Sequence, residues 1–339
     1  MAISELRFDL VSKDWVVIAA GRGRRPDTFA RKEIPVVESI AVDCPFCQIQ
    51  TQETAVLVKT KQGHITKIKN NQEITKLDWS FVVIPNKYPA FGQAQDLNER
   101  AIGPYQIMDG VGFHEVVVYR DHQRQLADFS IEEVAGFIDV LQQRYLALMD
   151  KEFINYISIF HNQGKEAGAS VSHPHSQIIA IPVIDPDLRR SLEGSQRYFN
   201  LNHQCVHCTM MKWDLENGER IIFENDQFVV LVPFASRVSF EMRIYPKEHK
   251  SYFERITDQE IRSLAEVLKQ ALSRLAKKLN NPAYNFFIHT APCDSKDYDH
   301  YHWHIEILPK TSTWAGFELG TGIEILTIAP EQSAGFLRA

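Results

Sequence analysis

Apolar residues recur along the chain with two different periods. One set falls every three to four residues: Ile131, Val134, Phe137, Ile138, Leu141, Tyr145 and Leu148, and later Ile261, Leu264, Leu268, Leu272 and Leu275. That spacing puts one apolar stripe on each of two long helices. Each stripe is preceded by a capping box, Ser130-x-x-Glu133 and Thr257-x-x-Glu260, which predicts where the helices begin. The other set is short and rich in β-branched residues: WVVIAA (15–20), SFVVIP (80–85), HEVVVY (114–119), QIIAIP (177–182), FVVLVP (228–233) and HIEILP (304–309). These runs predict strands. Many strands with a few long covering helices make the fold class α+β.

The same parts are written twice in the same order. A C-x-x-C (Cys44, Cys47), a strand with a histidine (His114), a capped helix, a second strand and an H-x-H (His173, His175) fill the first half. Cys205 and Cys208, His249, a capped helix, a strand, and His302 and His304 fill the second. Cap to first histidine of the pair is 43 residues in one half and 45 in the other; strand opening to second histidine is 19 (Tyr156 to His175) and 20 (Tyr284 to His304). Matched spacings of this kind point to duplication. The junction is expected within residues 182–202, giving halves of 1–190 and 191–339.

Composition removes several function classes. A formal net charge of -6 argues against binding a nucleic-acid backbone, which calls for a dominant basic surface. The first ten residues carry charges and no apolar core, and no apolar run reaches membrane-spanning length, so a cytoplasmic protein without membrane contact is expected. In a reducing compartment the paired cysteines read as metal or redox sites before disulfides. Tetrahedral zinc takes Cys₂His₂ sets from distant parts of a chain. The repeat predicts two structural zinc sites, Cys44, Cys47, His114 and His173 in one half and Cys205, Cys208, His249 and His302 in the other. One Cys₄ site made from both C-x-x-C pairs is the rival reading. His207 and His203 are left unassigned.

With His173 turned to metal, His175 is free to act as a nucleophile. Gln177 falls one alternation further on the same face of the strand. Asn162, Gly168 and Ser170, upstream in a stretch of small and hydroxyl residues, suit a phosphate pocket. His304 repeats His175, but Glu306 stands where Gln177 would, and a carboxylate repels phosphate. The second half is therefore expected to have lost the nucleophile's role.

Arg22-x-x-Arg25-Pro26, Cys44-Pro-Phe-Cys47, Pro85-Asn86-Lys87-Tyr88-Pro89-Ala90, Gly112-Phe113-His114-Glu115-Val116, the run from Asn162 to Gln177, and Ala315-Gly316-Phe317-Glu318 together form a specific, ordered set. Over nearly the whole chain they resemble the galactose-1-phosphate uridylyltransferase family of the histidine-triad superfamily, including its ADP-glucose phosphorylase relatives. The resemblance implies a duplicated histidine-triad-like fold, each half with an antiparallel sheet and a long covering helix. It implies a double displacement in which His175 attacks the α-phosphorus of a nucleotide sugar and Gln177 bonds the phosphoryl oxygens. Arg22 and Arg25 would stabilise phosphate charge, Asn86 would bind the nucleoside, and Phe317 and Glu318 would touch the hexose. A homodimer is implied as well.

The expected activity is uridylyl transfer between UDP-glucose and a hexose 1-phosphate such as galactose 1-phosphate, with adenylyl transfer from ADP-glucose to phosphate as the alternative. Ser176, where many uridylyltransferases carry glycine, is closer to the ADP-glucose phosphorylase relatives. A non-catalytic zinc-stabilised nucleotide-binding module is the competing class, and a dinucleotide hydrolase on the same fold the third reading.

Overall fold

A computed structural model describes residues 3–20 and 43–339. Arg22 and Arg25 lie outside the described residues. In chain order the first strands are β1 (Glu5–Phe8), β2 (Trp15–Ile18), β3 (Leu57–Thr60), β4 (Ile65–Thr66), β5 (Trp79–Pro85), β6 (Arg100–Ile102), β7 (Tyr105–Ile107) and β8 (Phe113–Tyr119). Helix α1 (Ile131–Met149), strands β9 (Tyr156–Gln163) and β10 (His175–Ile181), and helices α2 (Pro186–Asn202) and α3 (Val206–Asn217) follow. The rest comprises β11 (Ile221–Glu224), β12 (Phe228–Leu231), β13 (Met242–Pro246), α4 (Asp258–Leu279), β14 (Tyr284–His289), β15 (His304–Pro309), α5 (Gly316–Thr321), β16 (Ile325–Leu326) and α6 (Pro330–Arg338). Among the described residues no helix is long and apolar enough to cross a membrane.

The two strand-rich halves share one antiparallel sheet of 11 strands, in the order β11-β12-β13-β15-β14-β9-β10-β8-β5-β3-β4. They meet edge to edge where β9 pairs with β14, Phe287 opposite Phe160 and Ile288 opposite Ile159. Both predicted capping boxes form. Ser130 Oγ accepts from the Glu133 N–H while the Ser130 N–H donates to Glu133 Oε2 at 2.8 Å, and Thr257 and Glu260 do the same for α4. The stripes of both helices sink into a single core against one face of the sheet. Ile131 is the exception: as the first residue of α1 it stays 37% exposed.

Strand parity then decides what the other face carries. Ile178 and Ala180 of β10, Val117 and Tyr119 of β8, and Ile157 and Ile159 of β9 all point into the helix-covered core. Alternation sends His175, Gln177, His114, Val116 and Asn162 to the opposite face. The second half has the same polarity, with Ile305 and Ile307 buried under α4 and His304 and Glu306 on the far side.

Close packing holds β8 against β10. A Cβ at Gly112, just before β8, would lie 2.3 Å from the carbonyl oxygen of Ala180. Gly112→Ala is expected to force these strands apart and cost about 1–3 kcal/mol. A urea denaturation midpoint that stays at the parent value would contradict this.

Candidate functional site

His175 opens β10, where the strand begins to pair with β8 and β9. Its Nδ1 lies 2.9 Å from the carbonyl oxygen of His173, so Nδ1–H donates there and Nε2 keeps its lone pair for chemistry. Burial lowers the His175 pKa below the ordinary histidine value, partly offset by that carbonyl. Burial thus favours the neutral imidazole. Phe46, from the turn between Cys44 and Cys47, packs against it with ring centres 5.1 Å apart.

Ser176 faces the other way. It is fully buried, with Oγ 2.7 Å from Tyr119 Oη and 3.0 Å from His161 Nδ1. Glycine at this position would leave both buried groups without that partner, which is costly in a dry core. The serine thus ties the strand of His175 to β8 and β9.

Gln177, Asn86 and His114 meet on the face of the sheet that carries His175. His114 Nε2 is 2.7 Å from Gln177 Oε1 and 3.1 Å from Asn86 Nδ2. A cavity of about 610 Å³ adjoins them, lined by Asn86, Phe91, Phe113 and His114, with Arg144 and Glu115 paired at its far side. Asn162 is braced from the second half: Asn285 Nδ2 donates to its Oδ1 and to the carbonyl of Ala167, both at 2.8 Å. Gly168 follows in the left-handed region (φ +89°) and, like Ser170, is exposed. Phe317 and Glu318 lie on exposed α5, where Glu318 Oε2 accepts from the Ala315 N–H at 3.0 Å. No contact of theirs with His175 or Gln177 is seen among the described residues.

The first cysteine–histidine cluster differs from the expected set by one residue. Cys44, Cys47, His122 and His173 converge, and His114 does not. His114 lies at the start of β8 and His122 just past its end, beside the cysteines. Cys47 Sγ lies 3.1 Å from His122 Nδ1 and 3.5 Å from His173 Nδ1, and Cys44 Sγ lies 3.5 Å from His173 Nδ1. A tetrahedral zinc with ordinary bond lengths separates its ligand atoms by roughly 3.3–3.8 Å, close to this arrangement. His173 Nε2–H donates to the Tyr119 carbonyl at 2.6 Å, which leaves Nδ1 unprotonated toward the sulfurs.

The second cluster brings together Cys205, Cys208, His249 and His302. Cys208 Sγ is 3.4 Å from Nδ1 of each histidine, while His249 and His302 donate their Nε2–H to the carbonyls of Asp299 and Pro246. The two C-x-x-C pairs thus belong to separate clusters, against the Cys₄ alternative. Both donor sets fit zinc, and four protein ligands leave no open coordination position. His207 stands outside the cluster, buried against Tyr245 and His304.

His304 repeats the geometry of His175, with Nδ1 3.1 Å from the carbonyl of His302, two residues before it. Its surroundings are different. Burial pushes the Glu306 pKa up, but Arg237 and Arg243 outweigh it and hold the carboxyl well below the usual range. Asp9, Ser12 and Asp14 from the β1–β2 hairpin line the small cavity over His304, together with Arg190 of α2. A fixed carboxylate among further acidic groups is a poor host for a phosphate anion.

Two family models match the chain. One is described as the N-terminal domain of galactose-1-phosphate uridyl transferase and matches residues 1–184; the other, a domain of unknown function, matches residues 107–335. The chain is 33% identical to an ADP-glucose phosphorylase of Arabidopsis thaliana, over 98% of this chain and 92% of that protein. It is 28% identical to a galactose-1-phosphate uridylyltransferase of Thermotoga maritima, over 98% of each. The structure is similar to that of an Arabidopsis thaliana ADP-glucose phosphorylase with bound ADP-glucose, with a TM-score of 0.80 and 31% identity over 99% of both chains.

Proposed function

The chain belongs to the galactose-1-phosphate uridylyltransferase family of the histidine-triad superfamily, and we propose that it transfers an adenylyl group from ADP-glucose to phosphate through His175. One observation carries the reading. The Nδ1 of His175 is bonded to the His173 carbonyl, which leaves a neutral Nε2 as nucleophile with Gln177 on the same strand face.

Nε2 attacks the α-phosphorus, a nitrogen–phosphorus bond forms, and the bond to the bridging oxygen breaks, so glucose 1-phosphate leaves with the electron pair. The ring becomes cationic in the adduct, and the His173 carbonyl stabilises that charge through Nδ1–H. A phosphate oxygen then attacks the same phosphorus, the nitrogen–phosphorus bond breaks, and ADP leaves with His175 restored. Gln177 donates to the phosphoryl oxygens, Asn86 holds the nucleoside, and Asn162, Gly168 and Ser170 line the phosphate path. Such a transfer asks mainly for positioning and charge stabilisation. Zinc at the two clusters would hold loops in place: Cys44, Cys47, His122 and His173 beside the nucleophile, and Cys205, Cys208, His249 and His302 in the second half.

Adenine is favoured by the relative 33% identical and the structure at TM-score 0.80, both ADP-glucose phosphorylases. Ser176, with its two buried partners, points the same way. Uridylyl transfer to a hexose 1-phosphate is the second reading, supported by the Thermotoga maritima relative.

ADP-glucose alone is expected to release glucose 1-phosphate in a burst of about one per active site, since a covalent intermediate accumulates without an acceptor. A burst from UDP-glucose only would select the second reading. No burst from either donor would exclude both.

A further inference from the structure

His114 is left over once His122 takes its place among the cysteines, yet it stands at the centre of the reactive face. Its hydrogen bonds constrain one another. The Ala90 N–H can only donate, and it points at His114 Nδ1 at 3.3 Å, so Nδ1 accepts and the ring proton sits on Nε2. Nε2–H then donates to Gln177 Oε1 at 2.7 Å. With its carbonyl engaged, the Gln177 carboxamide must turn its NH₂ away from the ring. The reverse tautomer loses the Ala90 bond and would oblige Gln177 to flip, presenting a carbonyl oxygen where a phosphoryl oxygen has to be met.

Asn86 completes the set. The Tyr88 N–H donates to Asn86 Oδ1 at 2.9 Å, which fixes the Asn86 NH₂ on the side of His114, 3.1 Å from Nε2. With the proton on Nε2, that NH₂ meets a second donor at 3.1 Å; this one contact opposes the Ala90 and Gln177 bonds that hold the Nε2–H form, and an oxygen of a bound ligand would relieve it by drawing the Asn86 NH₂ aside. The Asn86 N–H bonds the His114 carbonyl at 2.7 Å, anchoring the whole turn to β8.

We propose that His114 is a positioning residue for the transfer: held as the Nε2–H tautomer by the Ala90 N–H, it orients the Gln177 carboxamide so that its NH₂ faces the phosphoryl group on His175. The proposal rests on the nucleotidyl-histidine reading. It links the turn beside the cavity to the donor that meets the phosphate.

The test is rapid-quench measurement of glucose 1-phosphate release from ADP-glucose, or UDP-glucose if that is the active donor, by the full-length parent protein and variants. His114→Phe keeps a ring of similar volume without a donor and is expected to slow the burst about 10–100-fold, part of what loss of an oxyanion donor costs. KM should change much less than kcat. His114→Gln, with an amide N–H at comparable reach, should recover most of the rate. In a Gln177→Ala background, His114→Phe should slow the burst little further, because the two residues act as one unit. Zinc content should equal the parent's.

A parent burst that His114→Phe leaves undiminished, fully additive losses in the double variant, or lost metal in His114→Phe would each overturn the positioning role alone. Absence of a burst in the parent protein overturns the nucleotidyl-histidine reading and this proposal with it.

Discussion

Alanine at position 175 is expected to abolish nucleotidyl transfer, with no burst of sugar 1-phosphate and turnover lowered by roughly 10⁴–10⁶-fold, the scale of losing a covalent nucleophile. Among the described residues, three other buried histidines offer no substitute. His173 has both nitrogens engaged, Nε2–H by the Tyr119 carbonyl and Nδ1 among the cysteines. His161 lies on the helix side of the sheet, bonded to Ser176, and burial pushes its pKa down to about 3. His304 Nε2 faces the Glu306 carboxylate at 3.8 Å, in a cavity that Asp9 and Asp14 also line. Loss of the imidazole leaves a small void against Phe46 and a modest cost in stability, so zinc content and the unfolding midpoint should stay near those of the parent. A full-amplitude burst from His175→Ala would show that another group, or water, attacks the phosphorus.

That expectation was open to sequence reasoning because its carriers are local. Alternation along one strand places His175 and Gln177 together, and capping boxes and apolar stripes fix the two long helices independently of anything distant. His114 was misplaced for an equally physical reason. The run GFHEVVVYRDH has a histidine at each end of a strand, and the second half, EMRIYPKEH, has one only past the end. Matching strand ends instead, three residues from Tyr119 to His122 and three from Pro246 to His249, identifies the histidine that joins the cysteines. Five residues of extended chain separate His114 from Tyr119 by roughly 17 Å, too far for one metal centre to span.

Other features have no local signature. The sheet formed by β1, β2 and β16 joins the two ends of the chain, and with it the hairpin that covers His304. The Tyr119–Ser176–His161 contact spans three strands and appears only once their register is known. Phe317 and Glu318 depend on where α5 packs, which no short motif encodes.

His122→Ala provides the second large effect and separates the two assignments of the first cluster. The parent protein is expected to carry about two zinc ions per chain, and His122→Ala about one. His114→Ala should keep both. Structural zinc contributes on the order of 10 kcal/mol of folding free energy in small metal sites, so loss of a ligand should also lower the thermal midpoint distinctly. Activity should fall with it. His173 is the connecting residue: its ring would be held among the cysteines by metal, and its carbonyl accepts the Nδ1–H of His175. Releasing the ring lets that carbonyl drift, and the nucleophile loses the bond that selects its tautomer and stabilises its cationic adduct. Cys205→Ser removes the other ion and should weaken folding, while leaving the burst amplitude of the folded fraction near one per site, because His302 is coupled to His304 and not to His175. One zinc in the parent, lost completely on changing either C-x-x-C, would point to a single shared site and refute the two separate clusters.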